Sequence, residues 1–257
     1  MPERPLKMVF DKTNIFSFIG FPENAFLGKR MAKKLFLENT SMPVNDRKLF
    51  QKNTKSIYWQ YTLKPSTCQV LPFKDHEREY HEIAVLSVEL DIKEKHKRIA
   101  EIIHRAIPYP LMLGFFTEGS ELALSIAPKR FSHAEQGAFV AERFFTTEWL
   151  NMDTLENREM AFFESLSFHN LPLSNYGALY NAWVDRFTGY ECSVFSGTFN
   201  IGKDSDRLEA LNQCREIESK ISDLRAELKK VAFNRQVEIN IEIKKKENEL
   251  KKMVKSL

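Results

Sequence analysis

The run Glu82-Ile83-Ala84-Val85-Leu86-Ser87-Val88-Glu89-Leu90 decides the fold. In an extended strand Ala84, Leu86, Val88 and Leu90 share one face, and Ile83, Val85, Ser87 and Glu89 share the other. A strand that is apolar on almost both faces belongs in the interior of a sheet covered from two sides. After it the hydrophobic period changes. From Lys93 to Ile107, the residues Ile99, Ile102, Ile103 and Ala106 fall at i, i+3, i+4 and i+7, one stripe of an amphipathic helix. Pro108 and Pro110 stop it, since each lacks an amide donor and restricts the residue before it. Leu111 to Phe116 then reads as a strand, Thr117-Glu118-Gly119-Ser120 as a turn, and Glu121 to Ala127 as the antiparallel return. The unit β-α-β-β from Glu82 to Ala127 is the architectural anchor of an α+β fold with a mixed sheet and flanking helices.

Outward from that unit, Ile57-Tyr58-Trp59-Gln60-Tyr61-Thr62-Leu63 is β-branched and aromatic, and predicts a strand ending before Pro65. Residues 1 to about 55 read as helix and loop with a basic accent. Met31, Leu35 and Phe36 seat one helical face there, while Lys29, Arg30, Lys33 and Lys34 stay in water. A second helix is expected from Asn45 to Lys52, capped by Asn45 or Asp46. Further on, helices are expected from His133 to Glu142 and from Ser174 to Phe187, with Ser174 as the cap of the latter. Phe187 to Phe199, with two glycines and mixed aromatics, gives no periodic signal.

The composition shifts at about Asp204. Leu211, Cys214, Ile217, Ile221, Leu224, Leu228 and Val231 recur at spacings of three and four, with charges of both signs between them and no proline or glycine to the C-terminus. This is the pattern of a long coiled-coil-like helix, roughly 75 Å if unbroken. The seam degrades at Asn234, Arg235, Gln236 and Asn240, where the helix either leaves its partner or folds into a hairpin. The expected domains are therefore 1–203, an α+β domain whose residues 1–55 are its helical basic part, and 204–257, a long charged C-terminal helix. Exposed, each large apolar residue of the seam would forgo roughly 1.5–3 kcal/mol. The seam must meet the chain's own body, a second copy in a homodimer, or a partner subunit, with Ile217, Ile221, Leu224, Leu228, Asn234, Arg235 and Asn240 as the interface.

The chain has 257 residues, 43% of them hydrophobic, and a formal net charge of +3. That supports a real core and does not by itself mark a nucleic-acid binder. Three cysteines, Cys68, Cys192 and Cys214, far apart and without a CxxC pair, fit free thiols of the cytoplasm. Met1-Pro2-Glu3-Arg4-Pro5 lacks the order of a secretory signal, and no apolar run approaches the roughly 20 residues that span a bilayer, so no membrane is expected.

Five stretches carry a resemblance: Lys29 to Lys34, Ile57 to Leu63, Glu82 to Leu90, Ala106-Ile107-Pro108-Tyr109-Pro110, and Phe233 to Asn240. In their order and spacing the chain resembles the bacterial family catalogued as domain of unknown function 4391. The resemblance implies no particular reaction. It implies a companion of helicases and DNA methyltransferases in restriction or phage-defence-type loci.

Candidate sites each stand beside a plainer alternative. Lys29, Arg30, Lys33 and Lys34, with Lys48, Lys52 and Lys55 beyond, suit phosphate contacts, and Tyr58, Trp59 and Tyr61 suit base stacking. The alternative is a solvated helix face beside an inward-packed aromatic strand. Glu82 and Glu89 invite a nuclease reading, because metal-dependent nucleases assemble strand carboxylates and a lysine around an activated water. Yet Glu89-Leu90-Asp91 has aspartate where a Glu-x-Lys element needs lysine, so Lys129 would have to substitute from elsewhere in the fold. The six histidines show no HxxxH or HExxH spacing, and GxGxxG, GKS/T and GxSxG motifs are absent from the sequence, so no metal or cofactor is expected. The resulting expectation is a non-catalytic accessory or adaptor protein beside bacterial DNA-processing or phage-defence machinery, with possible DNA contact. The rivals are a degraded-motif metal-dependent nuclease and a nucleic-acid-binding module.

Overall fold

The computed structural model describes residues 14–38, 42–134, 137–202 and 205–257. It divides into two units, one ending at Phe187 and the other beginning at Thr188. The elements in chain order are β1 (Phe26–Arg30), α1 (Lys33–Glu38), α2 (Val44–Asn53), β2 (Thr54–Leu63), α3 (Pro65–Cys68), β3 (Phe73–Lys74), β4 (Glu79–Tyr80) and β5 (Ile83–Leu90). There follow α4 (His96–Ala106), β6 (Leu111–Phe116), β7 (Glu121–Ile126), β8 (Lys129–Phe131), β9 (Phe139–Ala141), β10 (Phe145–Thr146), β11 (Leu150–Asn151), α5 (Asn157–Ser165), α6 (Tyr176–Ser196), α7 (Ser205–Leu228) and α8 (Phe233–Met253). The protein is α+β, with a mixed seven-stranded sheet in the order β1-β2-β5-β6-β7-β10 and β11 added on β7.

Only β5 and β6 pair in parallel; every other neighbour in this sheet is antiparallel. Parallel neighbours need a crossover, and α4 supplies it. The helix stripe read from the sequence is the covering surface. Ile99, Ile102 and Ile103 pack on Ala84, Leu86, Val88 and Leu90 of β5 and on Leu111, Leu113 and Phe115 of β6. On the opposite face Ile83 and Val85 are also buried. There Ile15 and Phe16 press so closely on Gly114 that a Cβ would lie 2.6 Å from the Ile15 side chain. The Tyr180 hydroxyl of α6 donates to the Leu111 carbonyl at 2.8 Å and accepts from the Ala127 amide at 3.0 Å. β5 is thus interior, as its two apolar faces require.

Several local expectations are corrected. Lys29 and Arg30 lie on a strand, β1, and only Lys33 onward is helical. The N-cap of α2 is Pro43 without a side-chain cap. Asp46 instead takes a two-pronged hydrogen bond from Arg98 of α4, at 3.0 and 2.6 Å, which holds its carboxyl below the ordinary range. No helix forms between His133 and Glu142 among the described residues. β8 and β9 pair there as a hairpin, with Phe131 and Phe139 rings 5.2 Å apart, and Gly137 has φ of +79° on the way. Glu135, Gln136 and Asp204 lie outside the described residues. α6 starts at Tyr176, and Asn175, not Ser174, meets its first turn by accepting the Ala178 amide at 2.9 Å. The helix then runs on to Ser196. Gly189 sits inside it because a Cβ there would meet the Asn200 carbonyl oxygen at 2.5 Å.

In the second unit the C-terminal pattern resolves as a hairpin of α7 and α8, not one unbroken helix. Ile217 and Ile221 of α7 pack with Ile239 and Ile243 of α8, and Leu224, Leu228, Val231 and Leu250 flank them. The polar residues after the turn explain the break. Gln236 donates its side-chain amide to the Val231 carbonyl at 3.0 Å, and Arg235 pairs with Glu238 at 2.7 Å and Glu227 at 3.8 Å. Asn234 and Asn240 face solvent. Ile239 is fully buried whereas Ile241, two residues on, is 66% exposed. Ile239→Ala should therefore lower stability by at least about 2 kcal/mol, while Ile241→Ala should shift it by less than about 0.5 kcal/mol. Urea unfolding followed by helical circular dichroism reads both, and equal effects would contradict this packing.

Candidate functional site

The pleat puts Ser87 and Glu89 on the face of β5 away from α4, and both are polar where their neighbours are apolar. Cross-strand register extends that face into rows. Arg30 of β1 lies opposite Tyr58 of β2, and Tyr58 opposite Ser87 of β5; Ser56 lies opposite Glu89, and Glu89 beside Phe116 of β6. Three register slips interrupt these pairings, one of them at Lys55 between Thr54 and Ser56, and the other two bring further residues in. β2 carries an extra residue against β5 between Trp59 and Tyr61, which turns Gln60 to this side. β1 slips against β2 between Phe26 and Lys29, at Gly28, whose φ is +59°. A side chain at Gly28 would also need the exposed Phe26 ring, 2.9 Å away, to move, so it is the positive φ that calls for glycine.

Together these residues line a cleft of about 580 Å³: Phe26, Arg30, Lys55, Tyr58, Gln60 and Glu89, with Gly28, Ser56, Ser87 and Phe116. A second cavity of about 350 Å³ shares Arg30, Lys55 and Ser56 with it. The first lies in the size range of small-ligand sites. Within it the Glu89 carboxylate is held at both oxygens. Lys55 Nζ lies 2.9 Å from Oε1, and the Ser56 hydroxyl donates to Oε2 at 2.9 Å. Glu118, on the exposed turn after β6, approaches the same ammonium at 3.6 Å. Glu89 foremost, by hydrogen bond and charge, raises the Lys55 ammonium above its ordinary range. The Gln60 side chain, 5% exposed, donates to the Ser87 hydroxyl at 2.9 Å, and its carbonyl oxygen has no hydrogen-bond partner among the described residues. Whichever way the amide is turned, this cleft-lining side chain keeps one buried polar atom unpartnered among the described residues.

The candidates read from sequence are distributed differently. Glu82 just precedes β5 and Glu89 stands near its other end, seven residues and roughly 23 Å apart. Lys129 opens β8, just beyond the end of β7 that pairs with the start of β6, and so belongs to the Glu82 end of the sheet. It is buried, and its Nζ donates to the His104 carbonyl. Burial pushes that ammonium down to about 7. The basic cluster is likewise split. Lys29 shares the α4 side of the sheet with Trp59, whose indole packs on the apolar core and donates to Thr62 at 2.8 Å, while Arg30 points to the cleft. Lys33 caps the end of α2 by donating to the Gln51 and Thr54 carbonyls, and Lys34 pairs with Glu38 at 3.4 Å. Of the residues read as basic or stacking, Arg30, Lys55 and Tyr58 come together, and Glu89 joins them. Ser56, Gln60 and Ser87 had no signal beyond being polar within apolar strands. Among the described residues, no group of three or more His, Cys, Asp or Glu side chains is placed to hold a metal. No described helix is long and apolar enough to cross a membrane.

A family model described as "Domain of unknown function (DUF4391)" matches residues 19–250, and the chain belongs to that family. Neither the curated proteins nor the solved structures contain a match to it.

Proposed function

From membership of this family and the geometry of the cleft, we propose that the protein is a non-catalytic accessory protein of bacterial DNA-processing or phage-defence machinery, working beside a helicase or DNA methyltransferase in the cytoplasm. The observation that carries the non-catalytic part is the condition of Glu89. A carboxylate that binds a metal or takes a proton must do so in competition with the cations and donors already on its oxygens. Here one oxygen is taken by Lys55 and the other by Ser56. Lys55 also stands between Glu89 and Glu118, where a bridging cation would have to sit. The strand carboxylates Glu82 and Glu89 share no centre, and Lys129 serves the fold at the other end of the sheet.

The test is cleavage. Single-stranded DNA, duplex DNA and RNA incubated with the protein and Mg²⁺ or Mn²⁺ should remain intact, with wild type and Glu89→Gln indistinguishable. Clear wild-type cleavage that Glu89→Gln abolishes would refute the accessory reading in favour of a nuclease.

A further inference from the structure

We infer that the cleft over β1, β2 and β5 binds single-stranded nucleic acid, taking one nucleotide unit at a time: phosphate on Arg30, base against Tyr58 and Phe26, and base edge on Gln60. The inference rests on the reading of a DNA-associated protein but assigns it a site and a ligand class.

Four independent features point there. First, the charges do not cancel. Lys55 is neutralised by Glu89, whereas Arg30, on the adjacent strand and lining the same cleft, makes no ion pair among the described residues. An unpaired guanidinium in a concave site selects an anion, and its planar fork suits phosphate oxygens. Second, the walls are aromatic. Tyr58 is half-buried, Phe26 is exposed over half its surface, and Phe116 closes the far side. Aromatic faces flanking a cation suit unstacked bases and accept any base. Third, the Gln60 amide is almost entirely buried and one polar atom short of a partner. Leaving such an atom unmet is costly, and the edge of a base offers the complementary donor or acceptor. Fourth, two of the three register slips sit side by side, one turning Gln60 inward and the other placing Gly28 at a positive φ. Bulges that interrupt good pairing at one spot re-aim side chains toward a site. A duplex keeps its bases stacked and their faces hidden, so the aromatic walls favour a single strand.

The full-length protein is titrated against a fluorescein-labelled oligothymidylate of about twelve nucleotides, with unlabelled duplex and thymidine monophosphate as competitors. Binding is expected, weakened by salt. Arg30→Gln should cost about tenfold and lower the salt slope by about one. Tyr58→Leu should cost about tenfold or more. Lys48→Gln and Lys52→Gln, on α2 outside the cleft, should stay within about twofold of wild type. Duplex and monophosphate should compete poorly. Arg30 is exposed, so its variant folds even if Tyr58→Leu does not. Absence of binding overturns the inference, as does binding that Arg30→Gln leaves unchanged. Equal affinity for the monophosphate would make the ligand a free nucleotide and also overturn it. Each of these leaves the accessory role standing, whereas cleavage of the probe in Mg²⁺ would remove that role instead.

Discussion

Phe115→Ala should lower the free energy of unfolding by about 3–5 kcal/mol, a large share of the roughly 5–15 kcal/mol that holds a typical domain folded. Phe115 is fully buried on β6, in the cluster that joins Ile99, Ile102 and Ile103 of α4 to the parallel pair β5 and β6. Its ring also lies 6.4 Å from that of His96 at the start of α4. Truncation removes the aromatic contacts and leaves a cavity that a strand locked on both sides cannot close. Chemical denaturation measures the effect, and a loss below about 1 kcal/mol would mean that α4 does not cover the sheet as described.

The second large effect depends on pH. Lys129 is buried, and burial alone depresses its ammonium to about 7, against an ordinary 10.5. Between about pH 7 and 10.5 the unfolded chain therefore holds a proton that the folded chain has released, so stability rises with pH across that window. Below pH 7 the native state carries the full cost of a buried charge, offset by its hydrogen bond to the His104 carbonyl. Lys129→Met keeps the length and removes the charge. It should be more stable than wild type at pH 6 by about 2–4 kcal/mol, and the gain should vanish toward pH 10. His104 adds a second, acid window. Burial first, and the Lys129 charge second, hold its imidazole well below the ordinary 6.5, so stability falls as pH drops below 6.5. A Met variant less stable than wild type at pH 6 would show that the hydrogen bond outweighs desolvation.

The central fold was legible because its signals are dense. The eight residues of β5 are apolar on almost both faces, α4 repeats at helical spacing, and two prolines mark the boundary between α4 and β6. β1 was missed because its five residues hold one glycine and two cations and are exposed along their whole length, so no buried face imprints a pattern. The β8–β9 hairpin has three residues per strand, too few for alternation to outweigh helix-compatible alanines and glutamates. Gly189 read as an interruption but answers a close backbone approach inside a continuous helix. The hairpin of α7 and α8 was half legible. The seam showed that something must cover it, and the polar block at Asn234 marked where the chain turns, but spacing alone does not separate a partner helix in the same chain from one in another. The cleft was the least legible part. Its position follows from one-residue register slips in β1 and β2, and a slip leaves no trace in hydrophobic periodicity. Arg30 and Lys29 are neighbours in sequence yet lie on opposite faces of a sheet, which a helical reading of that stretch hides.

Partner identity tests the accessory role most directly. The protein should be recovered from its native host by an affinity tag, after nuclease treatment and in moderate salt, and its companions identified by mass spectrometry. A helicase or DNA methyltransferase in near-stoichiometric amount, retained by Glu89→Gln, is the predicted result. Recovery of the protein without either, together with DNA or RNA cleavage that Glu89→Gln removes, would contradict it.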